Sequence, residues 1–460
     1  MAQSPTATRL PASGVAELFT IDARWQAWMD VEAALAQAQA EIGMIPAEVA
    51  PIITANAKLE LFDRDRLAEG FHRTGHTIVP LVWELSRLCG EPAGGYVHWG
   101  ATTENIVRTG DTLQLRKAHS IFLSLINETL VAMADLAERS ADMPMAGRTH
   151  GQHAVPVTMG LKVASWIDAL LRFKERLLEC EKRIFVGMLG GAAGSLASFD
   201  GQGLKLQARY SEILGLAPME VPSRSLVDHS AEYVTILGLF AGSSGMIGRE
   251  IYHLMRTEYG EAEEPVPPGT VGSSTMPQKR NPFLAQDIIA YSAQVRSTVP
   301  LALEAIQTEH EADRTTSVML RDATNRACSI TGDVLIRLRE VMRGLTLNPD
   351  RMRANLDISQ GLIMAEALML SLGGVIGRQE AHDVVYDAAQ AAGQGQGDFA
   401  ELLGADPRVT DHLPASEIAE MLKPDAYTGE SGDVARNAAA KARASACLLY
   451  TSDAADEWLR

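Results

Sequence analysis

The densest run of chemically capable side chains lies between Gly272 and Pro282, Gly-Ser-Ser-Thr-Met-Pro-Gln-Lys-Arg-Asn-Pro. Two small hydroxyls, Ser273 and Ser274, follow a glycine; Met276, Pro277 and the cation Lys279 come next. Asn281 followed by Pro282 is a good helix N-cap and first-turn pair. The run therefore reads as a loop feeding a helix. That helix is expected from Phe283 to about Val299, with Leu284, Ile288, Tyr291 and Val295 on one face, ending or kinking at Pro300. Its N-terminus would add a positive field and free N–H groups beside Lys279. Such a place can hold a carboxylate.

Three further stretches concentrate polar groups beside a glycine: Arg73 to His76, Gly100 to Asn105 and on to Thr109, and Gly147 to His153. They supply hydroxyls, amides and imidazoles suited to hydrogen-bonding a carboxylate. Taken alone, paired threonines are most often turn or cap residues, and a lone histidine at a helix end is more often structural. A glycine-rich connection, Gly190, Gly191, Gly194, Gly201 and Gly203, lacks the preceding strand and the spacing of a phosphate cradle and reads as turns and tight packing. Glu261, Glu263 and Glu264, followed by Pro265, Pro267, Pro268 and Gly269, form an acidic, breaker-rich approach that suits a mobile lid.

The elements that must position these groups are helices. Ile21, Trp25, Trp28, Leu35 and Ile42 share one helical stripe that starts near Thr20 and stops before Gly43, a helix of about six turns. Its tryptophans read as core. Helices also fit Arg64 to Thr74 and Thr77 to Leu88. From Thr112 the apolar patterns lengthen, through Leu115, Phe122 and Leu136, then Val163, Leu170 and Ile184, then about Ala231 to Glu258 and about Thr324 to Arg343. Patterns this long suggest a bundle of long helices. The expected division is an N-terminal helical domain over 1–111, a central long-helix bundle over 112–360, and a C-terminal helical domain over 361–446. Cys447 to Glu457 resembles a translated transposase sequencing adapter, so 447–460 is read as a non-native tail and set aside.

Composition narrows the function. A hydrophobic content of 46% with 22% charged residues is ordinary for a globular protein, and aromatics at 5% favour helices over a β-sandwich. The net charge of −17 argues against nucleic acid, and an anionic substrate would need a locally basic cleft. Cys89, Cys180, Cys328 and Cys447 have no paired spacing, so reduced thiols in a cytoplasmic protein are expected, with no metal and no cofactor. No window reaches the roughly 20 apolar residues of a membrane span, and Met1 to Gly14 has no signal-peptide core.

The first stretch also carries a resemblance. Gly-Ser-Ser-Xaa-Met-Pro-Xaa-Lys-Xaa-Asn-Pro is the signature loop of the fumarase/aspartase superfamily, matched here at every defined position. Thr102 and Thr103 resemble that superfamily's Thr-Ser block, and Thr149, His150 and Gln152 its Thr-His-Xaa-Gln block. The resemblance covers the chain to about residue 440. It implies an all-α protomer of three domains, a homotetramer, and active sites built by blocks from three subunits.

Members of the superfamily generally remove a proton from the carbon beside a carboxylate and expel a group from the neighbouring carbon, often releasing fumarate. By resemblance Ser273 is the base. A free serine hydroxyl is too weak an acid for this, so nearby cations and N–H groups must favour its alkoxide. Lys279 and the helix start after Asn281 are the expected source, and they would also bind the carboxylate on which charge develops. Thr102, Thr103, Thr149, Gln152, Ser274 and Met276 complete the substrate contacts. His150 is the candidate general acid, or an electrophilic partner of the leaving group, because imidazole titrates near neutrality. His76 is second and matches a histidine that adenylosuccinate lyases use.

Two branches compete. Ala154 to Thr158, Gly190 to Gly194 and Asn348 to Glu366 look like the 3-carboxy-cis,cis-muconate cycloisomerase branch. His150 looks like the amine-eliminating branch, and Glu311, Asp313, Thr315, Ser317 and Arg321 resemble the adenylosuccinate lyase pattern near the substrate. Thr77 and Val227 depart from the pattern of those lyases, and their upstream Thr-Gln pair is not visible around Ser223, which weighs against a purine nucleotide substrate; Asn105 replaces a common Asp in the first block. The expectation is a lyase that breaks a carbon–nitrogen bond in an N-substituted aspartate-like dicarboxylate. The alternatives are a muconate cycloisomerase and a non-catalytic binding or structural relative.

Overall fold

The computed structural model describes residues 9–266, 269 and 271–447; residues 448–460, the greater part of the suspected tail, lie outside them. Helix takes 69% and strand 5%, so the protein is all-α as expected. In chain order the described elements are α1 (Ile21–Glu41), α2 (Val49–Asn56), α3 (Arg64–Thr74), α4 (Val79–Cys89), α5 (Thr103–Arg139), β1 (Pro144–Thr149), β2 (Gln152–Thr158) and α6 (Met159–Ile184). Then come β3 (Val186–Gly187), α7 (Gly203–Ile213), β4 (Ala217–Pro218), α8 (Asp228–Leu254), β5 (Ala262–Glu263), α9 (Phe283–Glu304), α10 (Arg314–Gly344), β6 (Thr346–Leu347) and α11 (Pro349–Leu356). Shorter helices follow, α12 (Ala365–Ile376), α13 (Arg378–Gly393), α14 (Phe399–Ala405), α15 (Pro407–Thr410), α16 (Ala415–Met421) and α17 (Ser431–Cys447).

The chain forms two compact units, each gathered from three stretches. Of the described residues, the first contains 9–125, 173–245 and 290–336. Here α1 starts on Thr20, whose hydroxyl accepts from Ala23 N–H, and its apolar stripe is buried at Trp28, Val31 and Leu35. These side chains join Leu81 and Leu85 of α4, Ile106 and Val107 of α5, and Leu206 and Tyr210 of α7 in one core. Trp28 is 2% exposed and meets Gly110, where a Cβ would come within 2.5 Å of the indole. Trp28 is thus core, as its place on the stripe implies.

Of the described residues, the second unit contains those in 126–172, 246–289 and 337–447. Its antiparallel hairpin pairs Pro144 with Thr158 and Thr149 with Gln152, with a bulge between Ala146 and Arg148. Leu368, Leu372, Val384, Phe399 and Leu403 make the core of its short C-terminal helices.

Several helix boundaries differ from the sequence reading; α5 begins at Thr103 rather than at Thr112, and α8 runs from Asp228 to Leu254 rather than from about Ala231 to Glu258. α10 begins at Arg314 rather than near Thr324, because Asp313 precedes it and accepts from Thr315 N–H at 2.9 Å, a polar start with no apolar period to mark it. α9 continues through Pro300 to Glu304, with the proline on an exposed face. α5 is long and apolar enough to cross a membrane by composition, yet 61% of its apolar window is buried within the protein. That burial accounts for its apolar surface.

Candidate active site

In the second unit the signature loop is closed at its neck. Asn281 Nδ2 donates to Gly272 O at 2.6 Å, and a Cβ on Gly272 would lie 2.6 Å from Lys279 O, so only glycine fits there. Lys279 N–H donates to Met276 O at 3.1 Å and completes the turn. Within it Ser273 Oγ accepts from Thr275 N–H at 3.3 Å and Met276 N–H at 3.0 Å. Donors aimed at an oxygen favour its charged form. Ser274, Met276 and Lys279 are exposed around this turn.

The helix that follows is not the free carboxylate site read from sequence. Leu284 N–H and Ala285 N–H, in the first turn of α9, donate to the two oxygens of Glu264 at 2.8 and 2.9 Å, and Glu264 is only 5% exposed. An internal carboxylate already occupies the positive end of the helix. The stabilising N–H groups at Ser273 are those of its own turn instead.

The acids read as a lid approach are anchors. Glu261, fully buried, accepts from Arg148 Nη2 and Nη1 at 2.7 and 2.9 Å and from Asn355 Nδ2 at 2.7 Å. Arg148 also lies over the Tyr259 ring, 4.7 Å from its centroid. Glu263 pairs with Arg280 at 2.9 Å on the surface. β5, which carries Glu263, is itself held by β6 through the pairs Ala262 with Leu347 and Glu263 with Thr346. One short strand therefore ties down both the hairpin and the start of α9. The charge run was visible in sequence; its burial was not.

Thr149, His150 and Gln152 sit at the exposed tip of the β1–β2 hairpin rather than on a helix end. His150 has φ 53° and Gly151 φ 77°, the left-handed pair of a two-residue turn. Histidine is among the non-glycine residues enriched in that region. His150 is exposed at this tip, and the Arg148–Glu261 pair anchors the strand next to it.

The first unit holds the remaining candidates. Thr102 N–H donates to Asn105 Oδ1 at 3.0 Å, and Thr103 opens α5. Ser317 Oγ donates to Glu104 Oε1 at 3.3 Å, bringing the first turn of α10 to the first turn of α5. Arg321, one turn on, pairs with Asp111 at 3.2 Å, and Arg24 lies 3.6 Å from the same carboxylate. Glu104, Arg108, Asp111, Ser317 and Arg321 line one cleft. His76 is not in its wall. Its Nδ1 accepts from Ile78 N–H at 3.3 Å and Val79 N–H at 3.4 Å, so the ring caps α4 and turns Nε2 away from that helix. Among the described residues no cluster of His, Cys, Asp or Glu has the arrangement of a metal site.

This set of blocks has counterparts in known proteins. A family model described as lyase matches residues 7–297, and one described as adenylosuccinate lyase C-terminus matches 361–438. The chain belongs to the fumarase/aspartase superfamily of lyases. It is 35% identical over 403 residues to N-acetyl-S-(2-succino)cysteine lyase of Dickeya dadantii, covering 88% of each chain. It is 37% identical over 434 residues to adenylosuccinate lyase of Methanothermobacter thermautotrophicus, covering 94% of this chain and 97% of that one. The crystal structure of 3-carboxy-cis,cis-muconate lactonizing enzyme from Pseudomonas putida superimposes with a TM-score of 0.88 at 33% identity, over 96% of this chain and 100% of that one. Superfamily members with a sulfur-linked, a nitrogen-linked and a lactone-forming name are thus about equally similar to this lyase. Overall likeness does not select the leaving group.

Proposed function

We propose that the protein is a β-eliminating lyase that cleaves the carbon–nitrogen bond of an N-substituted aspartate-like dicarboxylate and releases fumarate and an amine. The observation that supports the elimination is the pair of main-chain N–H groups on Ser273 Oγ; the nitrogen leaving group rests on the resemblance of His150 to the amine-eliminating branch. They lower the free energy of the alkoxide that a serine base requires. Ser273 Oγ takes the proton from the carbon beside one carboxylate. The electron pair of that C–H bond becomes the carbon–carbon double bond as the C–N bond breaks and its pair leaves with nitrogen. His150 gives the leaving nitrogen a proton, and exchange with solvent resets both groups. Lys279 faces the carboxylate whose charge grows, and Thr102, Thr103, Thr149 and Gln152 orient the rest. No cofactor takes part.

A homotetramer with shared sites accords with the exposed large apolar side chains on the long helices, Leu239 and Met246 of α8, Leu303 of α9 and Val318 of α10. A second copy of the chain is the natural cover for such faces, and light scattering at micromolar protein checks the fourfold mass.

The deciding experiment runs the reaction backwards. The purified protein is mixed with fumarate and a panel of amines, and fumarate absorbance is followed. Loss of fumarate with one amine establishes the carbon–nitrogen lyase and names its partner. A second reading, a sulfur leaving group, is favoured by the name of the Dickeya relative. Loss of fumarate only with N-acetylcysteine would replace the amine by a thiol. Conversion of carboxymuconate with no fumarate chemistry would make the protein a cycloisomerase, and silence in every arm would favour a non-catalytic role.

A further inference from the structure

The turn that delivers Thr102 and Thr103 is pinned at successive residues by polar groups from elsewhere in the first unit. His98 Nδ1 lies 2.6 Å from Glu32 Oε1, and His98 has φ 60°, a left-handed backbone that histidine tolerates but does not prefer. Trp99 O accepts from Gln39 Nε2 at 2.7 Å. Gly100 O accepts from Ser198 Oγ at 2.7 Å, and a Cβ on Gly100 would meet the Phe199 ring at 2.8 Å. Thr102 N–H is held by Asn105, which is fully buried.

Glu32 and Gln39 are two turns apart on the inward face of α1, 1% and 0% exposed. Burying an acid inside a core built from Trp28, Val31 and Leu35 costs stability unless it is paired. Its observed partner is a strained histidine four residues before the first threonine. A leucine at position 32 would serve the core better; it would leave the turn without its contact at His98. The chemistry of this contact is thus that of a strut, stiff and specific, on the segment that must present two hydroxyls.

We propose that Glu32 and Gln39 are positioning residues that act through His98 and Trp99 to fix Thr102 and Thr103 against the substrate carboxylate. This rests on the proposed role of those threonines as carboxylate ligands. Neither Glu32 nor Gln39 touches substrate; both set where the hydroxyls stand.

Fumarate is the probe, titrated calorimetrically into the full-length protein and used as the varied substrate in the reverse reaction. Glu32→Gln keeps the side-chain shape and removes the charge, and His98→Asn keeps a residue that accepts φ near 60° and breaks the strut. Both variants should weaken fumarate about tenfold in Kd and KM, with kcat within threefold of the parent and binding stoichiometry unchanged. A merely structural role would lower stoichiometry and kcat together and leave Kd and KM alone, and that result overturns the proposal. Should Glu32→Gln not fold, His98→Asn decides alone, because His98 is at the surface of the core. Thr103→Val separates the two layers of the argument. If it weakens fumarate while both strut variants bind normally, the strut is wrong and the threonine site stands; if it binds fumarate normally, the threonine site fails and the strut with it.

Discussion

Replacing Glu264 is the sharpest test of how the signature loop is held. Its two carboxylate oxygens accept Leu284 N–H and Ala285 N–H at 2.8 and 2.9 Å, almost wholly out of water. Hydrogen bonds to a charged partner contribute about 1.5–3 kcal/mol each, and an acid at a helix N-terminus adds about 0.3–1 kcal/mol. Glu264→Ala removes both bonds and leaves two orphan donors that water reaches only in part. The expected loss is about 3 kcal/mol, the low end of the sum, or roughly a hundredfold in the folding equilibrium. Glu264→Gln keeps one acceptor oxygen and sets its amide against the other N–H, so about half that loss is expected. Glu263→Gln is the internal control. Its partner Arg280 is 64% exposed, and an exposed pair contributes under about 1 kcal/mol. Urea unfolding followed by circular dichroism at one fixed protomer concentration measures all three, since association would otherwise shift the midpoints. Turnover should fall with stability in the alanine variant, because α9 begins two residues after Asn281, which closes the loop on Gly272. A loss below about 1 kcal/mol in Glu264→Ala would show that the carboxylate does not cap the helix and that its N–H groups are available to substrate after all.

Ser273→Ala should lower kcat by about 10²–10⁴ or more without changing the unfolding midpoint; retained turnover in a steady-state assay would remove Ser273 as the base. Arg148→Ala should cost about 3–5 kcal/mol in urea unfolding, because it strands the buried Glu261 carboxylate with Asn355 as its remaining side-chain donor. A stability curve against pH tests the His98–Glu32 contact. Burial works against the charged ring, but the charge of Glu32 and its hydrogen bond outweigh burial and raise the His98 pKa above its ordinary value. Because the folded value is the higher one, the contribution is complete below about pH 6.5 and is lost as pH rises through the folded pKa. Glu32→Gln should flatten that fall, and an unchanged slope would show that the pair does not titrate as described.

What was legible in the sequence is what depends on neighbours along the chain. The stripe through Trp25, Trp28 and Leu35, stopping before Gly43, located α1, and eight defined residues between Gly272 and Pro282 named the superfamily. What was illegible depends on partners far away. The hairpin bearing Thr149, His150 and Gln152 hides because Gly147 and Pro156 interrupt its alternation and a bulge at Ala146 and Arg148 breaks its period of two. Only the left-handed pair His150 and Gly151 betrays it, and histidine before glycine is a weaker turn signal than asparagine before glycine. The acids at 261, 263 and 264 read as a solvated, mobile run because charge in sequence carries no burial label; Arg148, 113 positions away, turns one of them into an anchor. The same holds for Glu32, which a helical stripe cannot distinguish from any polar residue on α1. The two cases share a cause. In both, a segment carrying candidate site residues is held by a buried carboxylate paired with a residue far away in sequence, Arg148 with Glu261 and His98 with Glu32. Such residues lie one layer behind the motif and out of its register, so a motif shows its own loop and passes over the groups that hold it still.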